Sequence, residues 1–304
     1  MIPLSWYIAI IISFLLILVF IASWSKREER KEFFTNQKKL VWEAFQVFPE
    51  NGKLSDIDSI WARIYQRVFS EKKAQQAEAK VITEYLHAKH ISPWESAVEL
   101  GTGVGRLYEY LAPGGKNLVG IDQSDHMLDL ARVRNPEGTF IKGDFRNVSL
   151  IPKATVQVIF CLQESLYWNT PRDQAKILKS CAEWGAPGGY MVLTFWTLET
   201  MDPAPRSFSQ IIRDKDDPML SVTYFPNNMQ HEGWWKKLEL PGLYEYHERV
   251  QLSEDKKYQT RHRFYFPPNW TTFRNMVEQS GWKLIDTVEI PNIYDQKLTF
   301  WQKK

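Results

Sequence analysis

A chain of 304 residues, 44% hydrophobic and 24% charged, has the composition of a folded protein with room for one large α/β domain and an appendage. Its formal net charge of +2 gives no electrostatic reason to expect nucleic acid as a partner. Two cysteines, Cys161 and Cys181, are too few for a disulfide scaffold and lack metal-ligand spacing, so no metal site is expected and a reducing compartment suits the chain.

The chain opens on an apolar segment. No charged side chain precedes Lys26, and residues 2–24 are almost wholly apolar. A helix rises about 1.5 Å per residue, so about 23 residues reach about 34 Å, enough to cross a hydrocarbon core of about 30 Å. Trp6 and Tyr7 stand near one end and Trp24 at the other, as interfacial aromatics do. The basic n-region and small-residue site of a cleaved signal are missing. A transmembrane helix is therefore expected over residues 2–24. The flank Lys26-Arg27-Glu28-Glu29-Arg30-Lys31 predicts that the C-terminal bulk faces the cytosol.

Residues 26–90 read as a helical juxtamembrane region. Leu40, Val41, Ala44, Phe45 and Phe48 have helical spacing, as do Ile57, Ile60, Trp61, Ile64, Tyr65 and Val68. A third helix is expected from about Lys72 to His87. These helices either cap a pocket in the following domain or serve packing alone.

From Ala97 the pattern alternates. Strands are predicted at Ala97–Leu100, Asn117–Ile121, Thr139–Lys142, Val156–Leu162 and Tyr190–Phe195, with helices between them. The run Val156–Leu162 is continuous and apolar, as a strand covered on both faces should be. This order indicates a parallel sheet with helices on both faces. Ala112-Pro113-Gly114-Gly115 and Ala186-Pro187-Gly188-Gly189 read as helix stops. Residues 197–230, rich in Pro, Asp and Asn, look inserted, and Leu243–Leu252 with Lys257–Phe266 form a predicted hairpin. Together they make a substrate-covering insertion at about 197–266. A helix over Pro267–Ser280, stopped by Gly281, and strands Trp282–Ile290 and Lys297–Trp301 close the chain.

The chemistry concentrates at Glu99-Leu100-Gly101-Thr102-Gly103-Val104-Gly105. A glycine loop between strand and helix lets the backbone approach a ligand, and the helix N-terminus favours negative groups. In a dinucleotide fingerprint the third glycine follows the second by three positions. That position holds Arg106, and the third glycine is Gly105. The acidic-x-Gly-x-Gly-x-Gly pattern resembles the first motif of class I S-adenosylmethionine-dependent methyltransferases, and the resemblance extends over roughly residues 95–304.

That resemblance implies a doubly wound, mostly parallel seven-stranded sheet with an antiparallel last strand, in a domain over residues 91–304. It implies S-adenosyl-L-methionine as cofactor. Asp122 matches the acid that accepts hydrogen bonds from both ribose hydroxyls, and Asp144 the acid that holds the adenine amino group, with Phe145 flanking the ring. Glu99, Gly101, Thr102, Gly103, Gly105, Arg106, Gln123, Met127 and Leu162 complete the implied cofactor set. Each acid also has a local reading: Asp122 as a helix N-cap, Asp144 as a turn cap, Glu99 as partner of a nearby amide.

The acceptor is expected above the end of the fourth strand, at Cys161-Leu162-Gln163-Glu164-Ser165-Leu166-Tyr167-Trp168. This stretch lacks the Asn/Asp-Pro-Pro-Tyr sequence used on base or glutamine amides. Glu164 is a candidate base or cation partner, and Tyr167 and Trp168 wall the pocket or pack. Ser165 is expected to cap the next helix, and Cys161 to be core. Trp234, Trp235, Tyr244, Tyr246, His247, Arg261, His262 and Arg263 form an aromatic and basic set. It could be a lid over a cationic amine, a basic pocket for an acidic substrate, or a solvated hairpin face. His262 joins Glu164 and Tyr167 as the third catalytic candidate. The expectation is a membrane-tethered methyltransferase acting on a small-molecule or lipid-soluble acceptor. The alternatives are a protein methyltransferase and a catalytically silent membrane-anchored module.

Overall fold

The computed structural model describes residues 72–196, 212–213, 220–224, 230–239, 242–251, 257–290 and 297–304. By packing the chain divides into two units. One comprises Met1–Glu50, Tyr224–His231 and Val250–Lys257, and within it only a few strand-end residues are described. The other comprises Asn51–Thr223, Glu232–Arg249 and Tyr258–Lys304 and carries the site. The expected span over residues 2–24 and the helices before Lys72 lie outside the described residues. Among the described residues no helix is long and apolar enough to cross a membrane.

Seven strands form the main sheet: β1 (Ala97–Leu100), β2 (Leu118–Asp122), β3 (Thr139–Lys142), β4 (Val156–Cys161), β5 (Gly185–Phe195), β11 (Trp282–Glu289) and β12 (Lys297–Lys303). Their order is β11-β12-β5-β4-β1-β2-β3. β1 lies parallel between β2 and β4, with Leu100 opposite Ile121 on one side and Cys161 on the other. β12 runs antiparallel between β5 and β11. This is the expected sheet, with the antiparallel last strand in place. All four residues of β1 are buried, as are all but Gln157 of β4, because helices cover both faces.

The helices are α1 (Lys72–Ala88), α2 (Arg106–Leu111), α3 (Asp125–Arg134), α4 (Pro171–Trp184) and α5 (Trp270–Gln279). α4 is capped by Thr170, whose Oγ1 accepts from Asp173 N at 3.2 Å and donates to Asp173 Oδ2 at 2.9 Å, with Pro171 at the first helical position. α5 is capped by Asn269, whose side chain accepts from Thr272 N at 2.8 Å. On α1, Gln75, Glu78, Ala79, Ile82 and Leu86 are buried, a single stripe of helical period. Its apolar part joins the core through Ile82 and Leu86, and Tyr85 stacks on Phe300 with ring centroids 3.7 Å apart.

Two expectations need correction. Ala186-Pro187-Gly188-Gly189 is not a helix stop outside the sheet. α4 ends at Trp184, and β5 begins at Gly185 opposite Val156. Pairing then resumes at Val158 and Tyr190 across an irregularity that holds Gly188 at φ +72°. The inserted region is also more than a hairpin. β6 (Ile212–Arg213), β7 (Leu220–Tyr224) and β8 (Gln230–Lys237) join β9 (Leu243–Gln251) and β10 (Lys257–Tyr265) in a second sheet, ordered β10-β9-β8-β7-β6. The end of β10 is fastened to the stretch after β4: Tyr265 N donates to Tyr167 O at 2.8 Å, and Gln174 Nε2 donates to Tyr265 O at 2.7 Å.

Candidate active site

The site grows from the end of β1. Gly101 N and Thr102 N both donate to Ile121 O, at 2.8 and 3.0 Å, so the chain turns sharply off the sheet. Gly101, Gly103 and Gly105 have φ of +67°, +53° and +70°. These left-handed angles are why glycine alternates through the loop. Gly101 has a second reason to be glycine, since a Cβ there would fall on Ser165 Oγ and 2.8 Å from Ser165 Cβ.

Asp122, at the end of β2, closes the loop from the far side. Its Oδ2 accepts from Gly103 N at 2.9 Å and its Oδ1 from Ser124 N at 3.0 Å. It is not the cap of α3. That is Ser124, whose Oγ accepts from Met127 N at 3.2 Å. Glu99 is buried, and its Oε2 accepts from Thr102 Oγ1 at 2.6 Å. Burial above all, with the Glu78 and Asp122 carboxyls close by, pushes the Glu99 carboxyl up to about 8 against the bond from Thr102.

A pocket opens over this loop. Glu99 to Val104 line it, with Arg106 and Leu107 from α2, Leu162 and Gln163 past β4, and Gln75 from α1. α1 thus covers the pocket, and a carboxyl and a guanidinium share one small lining. Those two groups complement the ammonium and carboxylate ends of an α-amino acid, so the donor set fits a methionine-derived cofactor.

Three lining or supporting residues were not singled out in the sequence: Gln75, Glu78 and Gln163. Glu78 is 2% exposed and lies under the pocket wall. It accepts from Thr194 Oγ1 at 3.2 Å and bonds the Gln163 side chain. Burial, opposed by those two bonds and aided by Glu164, raises its carboxyl to about 7. Gln163 holds φ +53°, and its N–H donates to Thr194 Oγ1 at 2.7 Å. The only sequence signal for Glu78 is its place on the buried stripe of α1, where a carboxylate is out of character.

The other candidates fall in different places. Asp144 is 40% exposed and held by Arg146: Nη2 reaches Oδ2 at 2.6 Å, and Nε lies 2.9 Å from both oxygens. These bonds hold the Asp144 carboxyl below the usual range. Phe145 is buried in the core, Met127 packs with Val104, and Gln123 is exposed. Glu164 is half-buried at the tip of β4.

Tyr167 leaves the catalytic set. It is fully buried, its hydroxyl donates to Thr194 O at 2.9 Å and accepts from Trp196 N at 3.0 Å, and burial drives its pKa far upward. It staples the β4 tip to β5. Ser165 packs beneath Gly101 instead of capping α4. Cys161 is core, with its thiol raised to about 12 by burial.

The side chains of His262, Arg261, Trp234 and Trp235 lie outside the described residues. Of the remaining set, Arg263 Nε donates to Glu245 Oε1 at 3.0 Å, and His247 Nε2 lies 3.2 Å from Glu245 Oε2. Both are turned to an internal carboxylate. Tyr246, Phe264 and Phe266 are buried with Tyr167 and Trp196, and Tyr244 packs against them. Trp168 stays 40% exposed, its ring 4.6 Å from that of Phe264.

This sheet order and this loop are those of the class I methyltransferase fold. Residues 97–189 match the family model described as a methyltransferase domain. The chain is 30% identical over 116 residues to a ubiquinone biosynthesis O-methyltransferase of Bordetella bronchiseptica, covering 36% of this chain and 44% of that one. It is 21% identical over 209 residues to phosphoethanolamine N-methyltransferase 1 of Zea mays, covering 66% and 41%. The chain thus spans under half the length of either relative. Among solved structures, a S-adenosylmethionine-dependent methyltransferase from Clostridium acetobutylicum superposes with a TM-score of 0.61 at 15% identity, over 80% of this chain and 98% of the other. The amino pentose methyltransferase CalS10 from Micromonospora echinaspora gives 0.58 at 17%, over 84% and 100%. At these identities the structures speak for the fold alone.

Proposed function

We propose that this protein transfers a methyl group from S-adenosylmethionine to a small-molecule or lipid-soluble acceptor, tethered to a membrane through residues 2–24 with its C-terminal domain in the cytosol. The observation that carries the reading is the loop itself: three left-handed glycines at the end of β1, tied to Asp122 through Gly103 N. The names of the relatives, one acting in ubiquinone biosynthesis and one on phosphoethanolamine, support a small acceptor. The apolar run before Lys26 supports the tether.

When bound, the cofactor supplies a methyl group already activated on a sulfonium. The task left to the chain is positioning. Glu99 and Arg106 would hold the amino-acid end, and Asp122 the ribose. Leu162 and Gln163 would flank the cofactor on the β4 side, and Gln75 of α1 would cover it. Glu164, the half-buried carboxylate at the β4 tip, would take a proton from an acceptor or hold an ammonium group. An acceptor that arrives unprotonated needs no base.

The test is a labelled-methyl assay. The full-length chain in detergent is incubated with methyl-labelled S-adenosylmethionine and fractionated cell extract. Label in small-molecule or lipid fractions supports the reading. Label in protein alone, or in no fraction, refutes it. The tether is checked separately by fractionation, and a C-terminal tag found outside the cytosol overturns the orientation.

A further inference from the structure

α1 delivers a carboxyl to a place where packing alone does not ask for one. Glu78 belongs to the same buried stripe as Ala79, Ile82 and Leu86, yet it faces polar partners on two other elements. One is Thr194, 1% exposed, near the end of β5. The other is Gln163, just past β4, which lines the cofactor pocket.

The bonds form one directed chain. Gln163 N–H donates to Thr194 Oγ1 at 2.7 Å, and Thr194 Oγ1 donates to Glu78 Oε1 at 3.2 Å. A hydroxyl has one donor and two acceptor sites, so Thr194 is used in both senses. The Gln163 side chain also bonds Glu78, which ties its backbone and its side chain to one carboxyl. Gln163 needs such fastening. Its φ of +53° is left-handed, a conformation a residue with a Cβ keeps only when its surroundings hold it there.

We propose that Glu78 is a positioning residue for the methyl-transfer site: through Thr194 it holds Gln163 in its left-handed conformation and locks α1 over the cofactor pocket. This rests on the cofactor reading given above. The chain joins three elements, α1, the tip of β4 and the end of β5, at the point where cofactor and acceptor would meet. Glu78 itself need touch neither.

The test reads S-adenosylmethionine affinity by calorimetry on the full-length chain in detergent, alongside the melting temperature without ligand. Glu78→Gln keeps the shape but offers one accepting oxygen where the carboxylate offers two. Thr194→Val removes the hydroxyl at nearly constant volume. Each should weaken binding about tenfold, as loss of a hydrogen bond to a charged group does. Because both act through one chain, the double variant should lose about tenfold as well, and Thr194→Ser should bind as the wild type does. The ligand-free melting temperature of Glu78→Gln should not fall below that of the wild type.

Affinities unchanged within about twofold in both single variants would overturn the proposal, as would losses that multiply to about a hundredfold in the double variant. A purely structural role would lower the melting temperature of Glu78→Gln and leave the affinity of the folded fraction intact. If Glu78→Gln does not fold, the contrast between Thr194→Val and Thr194→Ser still decides. A wild-type chain that binds no S-adenosylmethionine refutes the cofactor reading itself, a result distinct from any of these.

Discussion

Gly101→Ala puts one methyl group where two separate costs meet. The backbone there has φ +67°, which an L-residue adopts at about 1–2 kcal/mol. The new Cβ would also fall on Ser165 Oγ and 2.8 Å from Ser165 Cβ. Rotating the serine can move its Oγ, but its Cβ is fixed to the backbone, 3.8 Å from the new atom at Cα. Relief therefore needs the glycine loop or the β4 tip to shift, and overpacking of this kind costs about 1–3 kcal/mol. The sum is about 2–5 kcal/mol, read as a shift in the urea midpoint at constant slope. Ser165→Gly removes the clash and leaves the strain. In a double-mutant cycle, Gly101→Ala on the Ser165→Gly background should cost only the strain, a coupling of about 1–3 kcal/mol. Additive single effects would refute the argument, because they would mean that the loop does not rest on Ser165. Cofactor affinity should fall with Gly101→Ala and recover partly in the double variant.

Further outcomes follow from the same geometry. Glu78 and Glu99 have carboxyls raised to about 7 and about 8 from an ordinary 4.5. The folded chain therefore holds protons there that the unfolded chain has released. Stability of the ligand-free protein is full below about pH 4.5 for these two groups and falls as pH rises toward 8, by up to ~1.4 kcal/mol per pH unit for each titrating group. Urea titrations of the wild type and of Glu78→Gln should show the slope reduced in the variant, and equal slopes would refute the assignment. Asp122→Ala removes the acceptor for Gly103 N and Ser124 N as well as the implied ribose partner. S-adenosylmethionine binding should weaken by about 2–3 kcal/mol in calorimetry, and an unchanged affinity would place the ribose elsewhere. Tyr167→Phe strips partners from the buried Thr194 O and Trp196 N and should cost about 1–3 kcal/mol in the same unfolding assay, with turnover per folded molecule retained.

What could be read from the sequence is what local chemistry dictates. β4 announces itself because a strand covered on both faces must be apolar throughout, and the glycine loop because left-handed angles at 101, 103 and 105 admit little else. Asp122 drew attention only through the resemblance, and its bond to Gly103 N was not legible at all. The failures share a cause in contacts between distant residues. Ser165 reads as a cap until the chain folds and sets it under Gly101, while Thr170, five residues on, takes the capping role. Tyr167 beside Glu164 reads as pocket lining, but its hydroxyl is spent on β5, at Thr194 and Trp196. β6 and β7 come from a stretch of Pro, Asp and Asn, and no local period reveals that they extend the sheet of β8 to β10. Glu78 shows the limit most clearly, because it and Thr194 stand 116 positions apart. On α1 alone a carboxyl among Ala79, Ile82 and Leu86 is only an anomaly in an apolar stripe. An anomaly of that kind is what folding has to resolve: a buried carboxyl survives only if other elements bring it hydrogen-bond donors. The elements that do so here are β5 and the tip of β4, and the latter lines the pocket through Gln163. A polar residue out of place on a core-facing stripe therefore points toward a site even where no motif does.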